Sequence, residues 1–181
     1  DLGPAIQNDL LCGDGNLESA EPTRELIRMA ASINVDSALK QLIMTTPAAD
    51  CHEAVMTSQH EAFKVKVANY IDRFGFRCMN EMKLEQRDLH DDPAFLYVCL
   101  RNYLVSGKLD LRAYEEHEKA IRAGAEAKVA AALKGYKFHV FQWFLHHARK
   151  AVRNRENTRF CRTRVYGVVR RMFYAWGRDY V

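Results

Sequence analysis

Apolar side chains recur every three to four residues along most of this chain, and only four prolines and nine glycines interrupt them. That spacing places apolar groups on one face of an α-helix, whereas the period-two alternation of a half-buried strand is scarce. The pattern predicts an all-α protein, an array of about seven helices, several of them long and antiparallel. With 181 residues, 48% of them apolar, the chain suits a single helical domain spanning 1–181.

The expected helices follow from caps and breakers. A short one runs from Ile6 to Cys12 and stops at Gly13. Pro22 suits the first position of the next, which turns Leu26, Met29, Ala30 and Ile33 to one side. Asp36 or Ser37 caps a third, through Leu39, Leu42 and Ile43. Thr46-Pro47 is expected to start one long helix carrying Val55, Phe63, Val67, Tyr70 and Phe74, ended by Gly75. Residues 77–90 lack a period and read as an ordered loop. Asp92-Pro93 opens a helix with Phe95, Val98, Cys99 and Tyr103 inward, stopping before Gly107. An alanine-rich helix from Leu111 to Leu133 has Tyr114, Ile121, Ala125, Val129 and Leu133 inward. After Gly135, Phe138, Phe141, Leu145, Ala148 and Val152 form a stripe. A last stripe of Cys161, Val165, Val168, Met172 and Trp176 belongs to a helix that is either separate or continuous with its predecessor, since no breaker stands between them.

Composition excludes several classes. No run of about 18 apolar residues exists to span a membrane, and the start has neither a basic nor an apolar leader segment, so no membrane partner and a cytoplasmic location are expected. The absent initiator Met and the uncapped helical end suggest a piece excised from a larger multidomain enzyme. The five cysteines are odd in number and form no Cys-x-x-Cys pair, which reads as reduced, mostly buried thiols. From Lys134 onward twelve basic residues face only Glu156 and Asp179, giving +10, while the remainder carries −6. Such a basic end suits a helical nucleic-acid-binding or regulatory module. It also suits intramolecular or interdomain pairing with acidic groups such as Glu115, Glu116 and Glu118, and that pairing is favoured over nucleic acid.

Two candidate sites stand out. Arg77 and Glu81 lie four residues apart in the irregular turn, where guanidinium and carboxylate either pin the loop as a structural ion pair or face an incoming acceptor. Phe138, Phe141 and Phe144 are core by default, but would line an apolar pocket if two helices leave a gap. No catalytic residue and no metal ligand is assigned. The histidines, among them His139, His146 and His147, lack the Glu-x-x-His or His-x3-His spacing of a helical metal face. Gly13-Asp-Gly15 is too short to cradle a phosphate, so no cofactor is expected to bind here.

Three segments carry a family resemblance. Tyr70-Ile-Asp-Arg-Phe-Gly-Phe-Arg-Cys-Met-Asn-Glu81, followed by Asp91-Asp-Pro93, is similar to a Gly-turn motif with Arg-Cys and a downstream Glu. Asn8-Asp-Leu-Leu-Cys-Gly-Asp-Gly through Glu21-Pro22 resembles a conserved-type entry segment, and Arg155-Glu-Asn-Thr-Arg-Phe-Cys-Arg-Thr-Arg164 resembles a basic helix. Together, in this order, they resemble the central helical part of phosphoenolpyruvate synthase-like and rifampin phosphotransferase-like enzymes. Met79-Asn80 and Lys83 depart from the pattern. The resemblance implies a parent that uses ATP and Mg²⁺, with flanking ATP-grasp and phosphohistidine domains passing a phosphoryl group to pyruvate or another small-molecule acceptor. It implies for this chain a spacer and acceptor-binding role, silent in isolation, because the Thr-x-Gly-Gly-x3-His motif of the phosphohistidine domain is missing.

Overall fold

The computed structural model describes residues 5–12, 20–77, 83, 85 and 87–178. Among them lie eight α-helices: α1 (Ile6–Leu11), α2 (Glu21–Val35), α3 (Ser37–Thr45), α4 (Cys51–Thr57), α5 (Glu61–Phe74), α6 (Ala94–Ser106), α7 (Leu111–Ala132) and α8 (Tyr136–Arg178). No strand occurs among the described residues. The protein is all-α, with one helix more than expected.

The extra helix comes from a break at Ser58-Gln59-His60. Ser58 Oγ donates to the Val55 carbonyl at 2.7 Å and accepts from the His60 backbone N–H at 3.3 Å. A hydroxyl that offers the backbone this alternative competes with the helical ladder. The first helical residue after Pro47 is Cys51, so the expected long helix is two short ones. His60 then sits 2.9 Å, through Nδ1, from Asp36 Oδ2, while Asp36 Oδ1 caps α3 by accepting from Leu39 N–H at 3.0 Å. The Leu39 N–H bond, helped by the nearby His60 ring, holds the Asp36 carboxyl below its usual range.

The chain divides into two compact units. One comprises 20–109 and 159–181, the other 1–19 and 110–158. In the larger unit α2 packs on α6, α3 and α5, and α4 on α3 and α6. Met29, Ile33, Ile43, Val55, Val67, Tyr97 and Leu100 form its buried centre. The α2 face is the expected one. On α6 the buried side chains are Leu96, Tyr97, Leu100 and Leu104, not Phe95 and Val98, which stay exposed. Cys99 and Tyr103 pack half-buried against the core. The sequence AFLYVCLRNYLVS is apolar on nearly every side, so its spacing does not select a face; the neighbouring helices do. Gly107 ends α6 in the left-handed region, φ 67°, where only glycine sits without strain.

In the smaller unit α1 packs on α7. Leu10, Ala125 and Val129 are buried there, with Ile6, Leu133, Phe141 and Leu145 against them. Asp110 caps α7 by accepting from Arg112 and Ala113 N–H at 2.8 and 3.2 Å. Tyr114, expected inward, is exposed, and its hydroxyl donates to Glu118 at 3.0 Å.

Helix α8 is continuous over 43 residues. Its residues 136–158 belong to the smaller unit and 159–178 to the larger. In the larger unit its buried face is Thr163, Gly167 and Arg170. The expected stripe of Val165, Val168, Met172 and Trp176 is exposed instead. Among the cysteines, Cys51 is buried, Cys12 and Cys99 half-buried and Cys161 exposed; Cys78 lies outside the described residues. Burial pushes the Cys51 thiol up, opposed by the nearby Arg101 guanidinium. No helix among the described residues is long and apolar enough to cross a membrane.

Candidate functional site

The smaller unit holds an open groove of about 530 Å³ between α7 and the first part of α8. Small residues on α7, Ala123, Ala127 and Ala130, form one wall, and Phe138, Phe141 and Leu145 of α8 form the other. Alanine leaves space that a larger side chain would fill, so the groove exists because α7 is alanine-rich where it faces the aromatic stripe. Phe141 serves twice, packing on the small core and lining the groove. Of the three phenylalanines singled out by spacing, the structure brings Phe138 and Phe141 together there. Phe144 does not line the groove; it is exposed and packs edge-on to Trp143, ring centroids 5.0 Å apart.

Polar groups that the aromatic spacing did not reveal complete the lining: Glu126, Gln142, His146 and Arg149. Arg149 donates to the Leu10 carbonyl from Nε and Nη2, at 3.0 and 2.7 Å, and from Nη2 to Glu126 Oε1 at 2.6 Å. Leu10 lies in the last turn of α1, where carbonyls have no intrahelical partner, so one guanidinium satisfies that end and ties α1 to α7. The signal for these groups was present: positions 138, 142, 145 and 149 follow one another at four, three and four residues, a single helical stripe. Nearby Cys12 is a poor nucleophile, since burial and the Glu118 and Asp9 carboxylates push its thiol up.

The irregular segment after α5 is a different construction. Gly75 is needed where it stands: a Cβ there would lie 2.2 Å from the Ile71 carbonyl oxygen and 2.6 Å from the His90 ring. Phe76 is buried, with the His90 ring 5.0 Å away and the Arg171 guanidinium 4.6 Å from its centroid. Asp88 is also buried; its Oδ1 accepts from His90 N–H at 3.0 Å, and its Oδ2 faces Arg170 Nη1 at 3.7 Å. Arg170 donates to the Lys83 carbonyl at 3.1 Å, and the Tyr174 hydroxyl to the Glu85 carbonyl at 2.9 Å. The segment is thus fastened to α8 at several points.

Arg77 is half-buried and lines, with Phe74, Phe76, Phe160 and Arg164, a hollow of only about 10 Å³, too small for a ligand. Its expected partner Glu81 lies outside the described residues. Beyond Asp88 there is a second hollow of about 280 Å³, lined by Arg87, Asp91, Tyr174 and Arg178. The sequence marked Asp91 only within the Asp91-Asp-Pro93 resemblance and did not group it with Arg87, Tyr174 and Arg178, because 87–91 and 174–178 are brought together only by the tertiary fold.

Among the described residues no three His, Cys, Asp or Glu side chains converge to hold a metal ion.

A family model described as the rifampicin phosphotransferase fourth domain matches residues 2–156. That span includes the whole groove and the segment after α5. No curated protein matches the chain, and no solved structure does.

Proposed function

The chain belongs to the rifampicin phosphotransferase fourth-domain family, and from that membership and the α7/α8 groove we propose that it is the acceptor-binding helical domain of a larger ATP-dependent phosphotransferase. In this reading neighbouring ATP-grasp and phosphohistidine domains supply ATP, Mg²⁺ and the phosphoryl group. The domain itself holds the acceptor and performs no chemistry alone.

The groove carries the reading. Its volume of about 530 Å³ falls in the range of small-molecule sites, which combine apolar walls with a few placed polar groups. Phe138, Phe141 and Leu145 offer flat apolar contact. Gln142 and His146 offer hydrogen bonds at the rim. Among the described lining residues the one guanidinium, Arg149, is already engaged by Glu126 and the Leu10 carbonyl, so a small carboxylate such as pyruvate would find no unspent guanidinium among them. The lining favours a large, mostly apolar, hydroxyl-bearing acceptor. Rifampicin, named by the family, is the first probe.

Nucleic-acid binding is the weaker reading. Arg149 and Arg170 are spent on intramolecular partners, and Arg171 lies over Phe76, which leaves fewer arginines for phosphate backbones.

Calorimetric titration of the chain with rifampicin tests the proposal. Saturable binding that disappears in Ala127→Trp, where an indole fills the groove, and weakens in Phe138→Ala is the expected result. Absence of saturable uptake at millimolar ligand, or equal uptake by Ala127→Trp, overturns it.

A further inference from the structure

The hollow formed by Arg87, Asp91, Tyr174 and Arg178 lies in the other unit and does not depend on the acceptor groove. Arg87 and Arg178 both line it, and among the described residues neither makes an ion pair. The last turn of α8 by itself favours a cation at position 178, since the carbonyl end of a helix carries partial negative charge. It gives no reason for Arg87, which comes from a different segment and points its charge into the same space.

Two like charges lining one hollow repel each other, and the segments that carry them are each anchored by neighbouring residues. Arg87 precedes Asp88, which is fixed between His90 and Arg170. Arg178 follows Tyr174 by one helical turn, and Tyr174 is held by the Glu85 carbonyl. Asp91 is placed by its own backbone N–H, which donates to the Asp88 carbonyl at 3.1 Å. The hollow thus gathers two exposed guanidinium donors from separately anchored segments, with acceptors beside them. Tyr174 has committed its hydroxyl proton to Glu85, so its oxygen only accepts. Asp91 only accepts as well.

We propose that this hollow binds a small phosphate monoester, with the phosphate between Arg87 and Arg178 and a ligand hydroxyl donating to Asp91. Guanidinium groups match the oxygen geometry of phosphate through paired charge-assisted hydrogen bonds. The hollow, at about 280 Å³, has room beyond the phosphate for a short hydroxylated skeleton, and the carboxylate gives that skeleton its partner. Bare phosphate fits less well, because it has no hydroxylated skeleton to reach Asp91 while its charge stays between the arginines.

The test is titration of the whole chain, followed by amide chemical shifts, with glycerol phosphate, inorganic phosphate and citrate as separate arms. Glycerol phosphate is expected to saturate most tightly, with shifts centred on residues 87–91 and 174–178. Arg87→Gln and Arg178→Gln are each expected to weaken it about tenfold, the effect of losing one charge-assisted contact. Asp91→Asn is expected to do the opposite for inorganic phosphate, tightening it by removing the carboxylate's negative charge; this variant keeps the proposal falsifiable if either arginine variant fails to fold. Tighter binding of citrate than of glycerol phosphate overturns the phosphate assignment. No saturable binding in any arm, or no change in phosphate affinity in Asp91→Asn, overturns the site. Rifampicin titration reads the other unit, so failure there leaves this result standing, and the reverse.

Discussion

The Arg170 guanidinium and the Asp88 carboxylate face each other at 3.7 Å with both side chains wholly buried. A buried ion pair adds little over well-packed apolar groups, but removing one partner leaves a charge that water cannot reach. Asp88→Asn is therefore expected to cost about 3 kcal/mol. The double variant Asp88→Asn/Arg170→Met is expected to lose less than the two single changes summed. Urea midpoints for the three proteins check this; a single-variant loss under roughly 0.5 kcal/mol, within the range of ordinary surface changes, would remove the pair from the account.

Gly167 and Gly124 are both helical glycines, yet opposite effects are expected. A Cβ on Gly167 would stand 2.4 Å from Phe76 Cδ1, while one on Gly124 would meet nothing within 4 Å. Gly124→Ala should stabilise by about 0.5–1 kcal/mol through helix propensity. In Gly167→Ala the same gain is outweighed by displacement of a buried ring, costing about 1–3 kcal/mol. Thermal unfolding of the two variants side by side decides: shifts of the same sign would contradict the packing of Phe76 on α8.

Arg101 closes the end of α3 from α6. Its Nε donates to the Ile43 carbonyl at 2.7 Å and its Nη2 to the Thr46 carbonyl. Helix ends left without partners are costly when buried, and hydrogen bonds from a charged donor contribute about 1.5–3 kcal/mol. Arg101→Met should therefore lower stability by about 2–3 kcal/mol. Arg101→Lys, which cannot span both carbonyls, should fall between, as read by denaturant midpoints. A lysine variant as stable as the wild type would show that one carbonyl needs no partner.

His52 supplies a pH dependence. Burial lowers its pKa below the ordinary 6.5, and its Nδ1 lies 3.1 Å from the Tyr97 hydroxyl. Burial raises that hydroxyl well above its usual range, so Tyr97 stays protonated beside a neutral imidazole. The unfolded chain takes up a proton on His52 as pH falls through 6.5, while the folded chain does so only at lower pH. Stability from this group is complete above 6.5 and is lost as pH falls toward the folded value. Unfolding free energies between about pH 5 and 8 should show that slope, and His52→Gln should flatten it. An unchanged slope in the variant would assign the dependence elsewhere.

Much of the architecture was legible along the chain, and the reasons are local. Helix α2 was readable because Pro22 marks its start and Leu26, Met29, Ala30 and Ile33 are its only continuous apolar face; all four are buried. Gly107 announced an end through backbone chemistry that acts within a turn. The membership in the phosphotransferase family was likewise carried by the order of short segments. The break at Ser58 was not legible, because a serine becomes a helix terminator only when its hydroxyl turns back on the backbone.

The groove was half legible. Periodicity marked Phe138 and Phe141 as one stripe, but the same periodicity describes a closed core, and Phe144 shared the composition without sharing the site. Whether a stripe meets a neighbour or leaves a gap depends on how far apart two helices stand, and no single-helix pattern encodes that distance. The last stretch of α8 shows the limit most clearly. Its apolar stripe of Val165, Val168, Met172 and Trp176 is exposed, while Gly167 and Arg170 are buried, because the segment carrying Phe76 and Asp88 needs a notch and a counter-charge. Helix content and start signals are properties of neighbours in sequence, so the chain alone determined them. Which face of α8 is covered, and that Arg87 and Arg178 line one hollow, are properties of partners some ninety residues apart, so only the tertiary structure decided them.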